Sequence, residues 1–290
     1  MKSITVISGK GGTGKTILTA SFAALAESKV MADCDVDAAD LHLILKPEIL
    51  KEEVFLGGQA AKIDKSKCIE CDRCLDECRF DAISENFVVD PIDCEGCALC
   101  YHVCPVEAIE MIHSKQGRCY ISKTRHGHMV HAKLGIAEEN SGKLVALVRK
   151  HAREIAEREN IEYVIVDGPP GIGCPVISAI TGASLVLAVT EPTVSGLHDL
   201  KRVVGLANHF GIKALVCVNK HDLNPAYTRQ IELHCQEVDA EFVGKISFDT
   251  VITKAMLNAQ SVVEYQPDSS VSEQIKSIWQ RVDEVARTLP

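Results

Sequence analysis

The chain has 290 residues, 46% hydrophobic and 24% charged, with a formal net charge of −9 at pH 7. That composition is ordinary for a soluble globular protein with room for one large core or two smaller ones, and the acidic balance argues against nonspecific nucleic-acid binding as the main activity. No apolar run approaches the roughly 18 residues that read as a membrane span, and the first residues enter a strand pattern instead of a signal peptide, so a cytoplasmic location is expected, with no membrane insertion and no nucleic-acid partner.

The first strand pattern, Ser3-Ile4-Thr5-Val6-Ile7-Ser8, leads into Gly9-Lys10-Gly11-Gly12-Thr13-Gly14-Lys15-Thr16, and a helical Ala/Leu-rich pattern runs from Lys15 to about Ser28. This is G-x-x-x-x-G-K-[ST] between a strand and a helix, the setting of a phosphate-binding loop. The glycines let the backbone curl so that successive N–H groups and the positive helix end face a phosphate chain. Lys15 would reach the β/γ-phosphates and the Thr16 hydroxyl would ligate Mg2+. ATP or ADP with Mg2+ is the expected ligand; the plainer alternative is a glycine-rich turn with no ligand.

A second lysine, Lys10, precedes the Gly11-Gly12 pair and makes the loop KGGTGKT. This resembles the deviant Walker A of the MinD/ParA superfamily, which includes the nitrogenase iron protein and the Mrp-like iron–sulfur carriers. The resemblance implies an α/β fold with a mostly parallel, twisted sheet flanked by helices. It also implies that Lys10 crosses a dimer interface to the partner's nucleotide, hence an ATP-dependent homodimer; a solvated loop lysine is the alternative.

A second strand, Val30-Met31-Ala32-Asp33-Cys34-Asp35, is followed by Asp37 and Asp40. Carboxylates at the end of a parallel strand lie where α/β sheets bind ligands and suit a Mg2+ shell or an attacking water. In the resembled family this is switch I, and Asp35 matches the catalytic aspartate best, with Asp33 second. Asp37 and Asp40 read as capping or solvated residues.

From about Lys62 to Ile112 the composition changes: Cys68-x2-Cys71-x2-Cys74-x3-Cys78 is followed by Cys94-x2-Cys97-x2-Cys100-x3-Cys104-Pro105. This is the spacing of bacterial two-cluster ferredoxins, in which the fourth cysteine of each run serves the other cluster. The expected sets are therefore Cys68, Cys71, Cys74 and Cys104 for one [4Fe-4S] cluster and Cys94, Cys97, Cys100 and Cys78 for the other. Thirteen cysteines in a reducing compartment favour ligation over disulfides, and runs of four fit zinc less well than paired knuckles do. The motif Cys78-Arg-Phe-Asp-Ala-Ile83 recurs 26 positions later as Cys104-Pro-Val-Glu-Ala-Ile109, which marks a duplication. Arg79 replaces the usual proline, a change expected to alter charge near one cluster and separate the two potentials.

The 62–112 stretch holds 12 acidic and 5 basic residues, and 111–150 holds 8 basic and 2 acidic, a basic collar after an acidic module. Two short strands are expected at 118–122 and 128–132 with Gly127 in the turn, either a solvated hairpin or a docking site for an acidic partner. A helix from about Lys143 to Glu159 follows, with Ser141 as its cap. Tyr163-Val164-Ile165-Val166-Asp167 then reads as a buried strand whose terminal Asp167 is the Walker B carboxylate for Mg2+. The following Gly168-Pro169-Pro170-Gly171 resembles the family's switch II, where the Gly171 N–H would sense the γ-phosphate. Cys174 just beyond is either a small buried hydrophobe or, by likeness to the nitrogenase iron protein, a ligand of a cluster shared between subunits; Cys34, Cys119, Cys217 and Cys235 read as structural.

A strand at Leu185–Thr190, a helix opened by Glu191-Pro192-Thr193 and a strand at Ala214–Lys220 extend the sheet. Asn219 resembles the family's adenine-contacting asparagine, or is a strand-end turn residue. The last helix, Val271 to about Leu289, carries one apolar stripe interrupted by Glu273, Asp283 and Glu284, which suits packing on the sheet more than a membrane surface. Two domains are thus expected: a P-loop ATPase domain at 1–61 and 113–290, and an inserted ferredoxin-like α+β module at 62–112. The expected function is ATP hydrolysis, with Lys15, Lys10 and Asp35 as the working residues, gating electron transfer to a partner protein. The alternatives are an iron–sulfur carrier or, less well matched, a Min/Par-type positioning ATPase.

Overall fold

The computed structural model describes residues 1–135 and 142–289, with the backbone alone at 114–116; the expected cap Ser141 lies outside the described residues. The chain runs β1 (Lys2–Ser8), α1 (Lys15–Leu25), β2 (Lys29–Asp33), α2 (Leu41–Leu45), β3 (Glu48–Ile63), α3 (Arg73–Asp76), α4 (Leu99–Val103), β4 (Ile109–Thr124) and β5 (Gly127–Leu134). It continues through α5 (Gly142–Glu159), β6 (Tyr163–Pro170), α6 (Cys174–Ile180), β7 (Leu185–Thr190), α7 (Val194–His209) and β8 (Lys213–Asn219). The last elements are α8 (Pro225–Glu237), β9 (Ala240–Ile246), α9 (Val251–Leu257), α10 (Val262–Tyr265) and α11 (Ser270–Thr288).

Nine strands among the described residues form one sheet in the order β3-β4-β5-β2-β6-β1-β7-β8-β9. From β5 to β9 every neighbouring pair is parallel, so these strands all end at one edge. β1, β6, β7 and β8 are apolar on both faces because helices cover both sides, and their residues are buried almost without exception. The two-residue link Arg125-His126 makes β4 and β5 a hairpin, and Gly127, expected in the turn, is instead the first residue of β5.

The chain divides into two compact units, the first made of Met1–Glu52, Cys119–Lys133 and Asn140–Pro290, the second built around Glu53–Arg118. The first unit's core joins Ile4, Met31, Ile165 and Leu187 to the α11 stripe of Ile275, Ile278, Val282 and Val285. Trp279 packs beside that core, its ring 4.9 Å from Phe22. The second unit extends beyond the 62–112 cysteine region on both sides, because β3 and β4 are each 16 residues long. Its core is small, Ala61, Ile83, Phe87 and Ile109 packed with the cysteines.

Duplication within the second unit is visible in the backbone. Left-handed φ angles occur at Glu70 and Gly96, at Asp72 and Ala98, and at Asp81 and Glu107, each pair at the same 26-residue offset seen in the cysteine motif. The short helices α3 and α4 begin at that offset too.

Candidate functional site

Parallel pairing gathers the first unit's polar residues at one edge. β1 ends in the glycine loop, β2 runs into Asp33 and Asp35, and β6 carries Asp167 opposite Asp33 in register. Gly168 must be glycine, since a Cβ there would lie 2.7 Å from Ile7 Cγ2 and 2.9 Å from Val6 O, and that close approach of β6 to β1 brings Asp167 under the loop. Gly14 takes φ 93° at the start of α1, where a Cβ would meet the Asn219 amide at 2.4 Å.

The resulting cavity, about 690 Å3, is lined by Gly11, Gly12, Gly14, Lys15, Thr16 and Asp35, with Pro169 and Pro170 opposite. Lys15 is buried, its Nζ 3.5 Å from Asp35 Oδ2. Burial raises the Asp35 carboxyl above its ordinary value, and the Lys15 charge opposes this. Asp167 is fully buried; desolvation pushes it up to about 6, against the pull of Lys15 and the Thr16 hydroxyl. Asp33 is raised well above the usual carboxylate range by burial and then by the Asp167 charge. The Thr19 hydroxyl lies 3.1 Å from Asp167 Oδ1, while Asp167 Oδ2, Asp33 Oδ2 and Thr13 Oγ1 are buried without a hydrogen-bond partner. Unpartnered buried carboxylate oxygens beside a lysine and two threonine hydroxyls suit a magnesium ion with its water shell.

Other predicted residues take places the sequence does not specify. Lys10 turns aside from the cavity, 3.3 Å from Ser195 Oγ and 3.8 Å from Glu191 Oε2, and Glu191 also pairs with Lys220 at 2.6 Å. Gly9 faces α7, where a Cβ would meet Asp199 Cβ at 2.2 Å. The Gly171 N–H donates to Ser8 O at 2.8 Å. Asn219 is buried beneath the loop, its amide donating to Thr13 O at 2.9 Å and its carbonyl accepting from the Lys220 N–H. Asp37 and Asp40 line the cavity, with Asp40 at the start of α2. Thr19 was missed as a site residue, although its place four residues after Lys15 on α1 puts both on one helix face. Cys174 is exposed at the start of α6, whereas Cys34, Cys119, Cys217 and Cys235 are buried.

In the second unit the eight spaced cysteines separate into two sets, each around its own cavity. Cys68, Cys71, Cys74 and Cys104 line one, and Cys78, Cys94, Cys97 and Cys100 line the other. Backbone N–H groups of Ala108 and Ala61 point at Cys104 Sγ and Cys94 Sγ, at 3.3 and 3.5 Å. Four thiols around an apolar void, with N–H donors aimed at sulfur, fit a [4Fe-4S] cluster.

A 4Fe-4S dicluster domain profile matches residues 61–111, and a profile described as NUBPL iron-transfer P-loop NTPase, of the ParA group, matches 141–283. The uncharacterised protein MJ0578 of Methanocaldococcus jannaschii is 34% identical over 287 residues, covering 97% of this chain and 96% of that protein. The chain belongs to the MinD/ParA-type P-loop ATPases that carry a ferredoxin domain.

Septum site-determining protein MinD of Pyrococcus horikoshii, solved in complex with Mg-ADP, has the same fold, with a TM-score of 0.61 at 18% identity over 98% of this chain and 97% of that one. Pyruvate synthase subunit PorD of Methanothermobacter marburgensis is 42% identical over 53 residues, which are 18% of this chain and 65% of PorD. As a member of its family the chain combines a nucleotide and magnesium site with an iron–sulfur domain. Among the described residues no helix is long and apolar enough to cross a membrane.

Proposed function

We propose that this MinD/ParA-type ATPase is a homodimer in which nucleotide state gates electron transfer from two [4Fe-4S] clusters to a partner protein. The observation that carries the proposal is the chain path. From Asp35 the chain passes through Asp40 and α2 into β3 and the cysteine runs, then returns through β4 to β5, which pairs with β2 up to Asp33. The ferredoxin-like unit is therefore spliced into the segment that would respond to the γ-phosphate, the arrangement expected where a nucleotide switch acts on what it carries.

In this proposal Gly9, Lys10, Gly11, Gly12, Thr13, Gly14, Lys15 and Thr16 cradle the phosphates, with Lys15 neutralising charge and Asp35 placing the attacking water. Thr16, Asp35 and Asp167 face the magnesium ion. Lys10 leaves Glu191 and Ser195 to reach the partner subunit's nucleotide. Gly171 exchanges its bond to Ser8 O for one to the γ-phosphate. Asn219, beneath the loop, supports the nucleotide's base side. The clusters, when bound at the two cysteine sets, supply one-electron chemistry. The PorD likeness is what favours a protein redox partner.

The test is electron transfer, under anaerobic conditions, from the dithionite-reduced protein to a one-electron acceptor, measured with MgATP, with MgADP and with neither. Rates that differ between nucleotides in the intact protein, and do not differ in Lys15→Ala, are expected. Rates that ignore nucleotide would sink the gating.

A second reading, cluster delivery, is favoured by one observation, the match of 141–283 to an iron-transfer NTPase profile. It requires iron to appear in an apo-ferredoxin acceptor in an ATP-dependent way, whereas the eight-cysteine arrangement predicts retention.

A further inference from the structure

The two cysteine cavities differ in the charge on their walls. Arg73 lines the cavity of Cys68, Cys71, Cys74 and Cys104, and no carboxylate among the described residues does. Glu77 and Glu95 line the cavity of Cys78, Cys94, Cys97 and Cys100, and no cation among the described residues does. Nearby Glu70, Asp72 and Arg79 are exposed and line neither. Hydrogen bonding to sulfur does not separate the sets, since each receives a backbone N–H of similar length. Charge does.

Reduction adds one negative charge to a cluster. A guanidinium at the wall stabilises that charge, and carboxylates oppose it. The geometry points to two unequal clusters: the set of Cys68, Cys71, Cys74 and Cys104 holds the higher reduction potential, and Arg73, Glu77 and Glu95 set the gap. The gap orders electron flow within the unit. A low-potential one-electron carrier, itself oxidised by one unit, reduces the cluster on the Glu77/Glu95 side by one unit. That electron then passes to the cluster on the Arg73 side, which is reduced by one unit while the first returns to its starting oxidation state. No bond breaks and no proton moves. The acceptor protein then takes its electron from the Arg73 side. Arg79, which stands where the usual proline would, lines neither cavity wall, so the gap is assigned to these three residues.

This inference rests on the two-cluster reading and not on nucleotide gating, so it is tested on the intact protein without nucleotide. The experiment is a potentiometric titration of the reconstituted protein, followed by electron paramagnetic resonance, with iron counted in every sample at about eight per chain. Two resolved one-electron waves are expected. Arg73→Gln should lower the upper wave alone, and Glu77→Gln with Glu95→Gln should raise the lower wave alone. Raising the salt should draw the waves together, because all three side chains are exposed and are screened. Should Arg73→Gln fail to hold iron, the glutamate variants and the salt series on the unaltered protein carry the same test. A single unresolved wave overturns the inference, as do waves that salt leaves in place or an Arg73→Gln shift confined to the lower wave. A protein that retains no iron overturns the two-cluster reading and this inference with it, whereas nucleotide-insensitive electron transfer removes only the gating.

Discussion

In the nucleotide unit Ile4, Ile165, Leu187 and Leu215 are completely buried on adjacent strands, whereas in the ferredoxin-like unit the large buried side chains are Phe55, Ile83, Phe87 and Ile109, none of them completely buried, and Ile69, Phe80, Val88 and Ile92 stand exposed. The first unit has an extensive apolar core that runs through these strands to α11. The second belongs to the size range where a hydrophobic core rarely suffices and staples are needed. With clusters bound as proposed, the two cysteine sets would be its staples, each drawing its fourth thiol from the other run. On that proposal one chain joins a unit held by burial to one held by ligation, and the two should respond differently to the same insult.

Iron removal is the strongest way to break that contrast. Anaerobic chelation is expected to strip hydrogen-exchange protection from residues 61–111 almost completely while β1 and β6 stay protected and nucleotide still binds; cooperative loss of both would erase the distinction. The reverse experiment is Lys15→Ala. It should weaken MgATP binding about 100-fold or more, the loss of a buried charge-assisted contact, while the iron count stays at about eight; equilibrium dialysis and an iron assay read both.

Gly168→Ala probes the packed unit by itself. The added carbon would press on Ile7 and the Val6 carbonyl, at a cost of about 1–3 kcal/mol, seen as a lower unfolding temperature with an unchanged cluster absorbance. Acid gives the most gradual effect. His131 is buried on β5 between Tyr120 and His42, its Nε2 3.0 Å from Ser122 Oγ, and burial lowers it to about 4. The unfolded chain binds a proton near the ordinary value of about 6.5, so between that pH and about 4 the unfolded state binds more protons and the fold loses stability as pH falls. The loss is at most about 1.4 kcal/mol per pH unit. His131→Phe should flatten that acid limb in thermal melts taken from pH 7 to 4.5, and an unchanged slope would remove His131 as its cause.

What the sequence made legible was whatever chemistry imposes on spacing. Ligand geometry dictates the C-x2-C-x2-C-x3-C runs, and a phosphate chain dictates the loop between β1 and α1, so both could be read without neighbours. The strands β6, β7 and β8 were legible because burial on both faces leaves continuous apolar runs. The stretch between Lys220 and Ser270 was not. It folds into α8, β9, α9 and α10, where the clear signals are confined to two helix starts: Asn224-Pro225 at α8, with the Asn224 side chain capping Tyr227 N, and the Ser261/Glu264 capping box at α10. β3 was missed because Gly57 and Gly58 interrupt its pattern and its apolar residues Ile49, Leu50, Val54 and Leu56 lie exposed. Asn219 under the loop, Lys10 against Glu191 and the Gly171 bond to Ser8 depend on residues far apart in the chain, and no local pattern encodes them.

The matched left-handed positions of the two cysteine runs also bear on how this region can change over time. A half-module that must borrow one sulfur from its twin cannot be shed, shortened or exchanged singly without emptying both sites. On the proposed ligand sets, removing either half of the ferredoxin-like unit would therefore cost both clusters a ligand, and with them every electron the unit could hold.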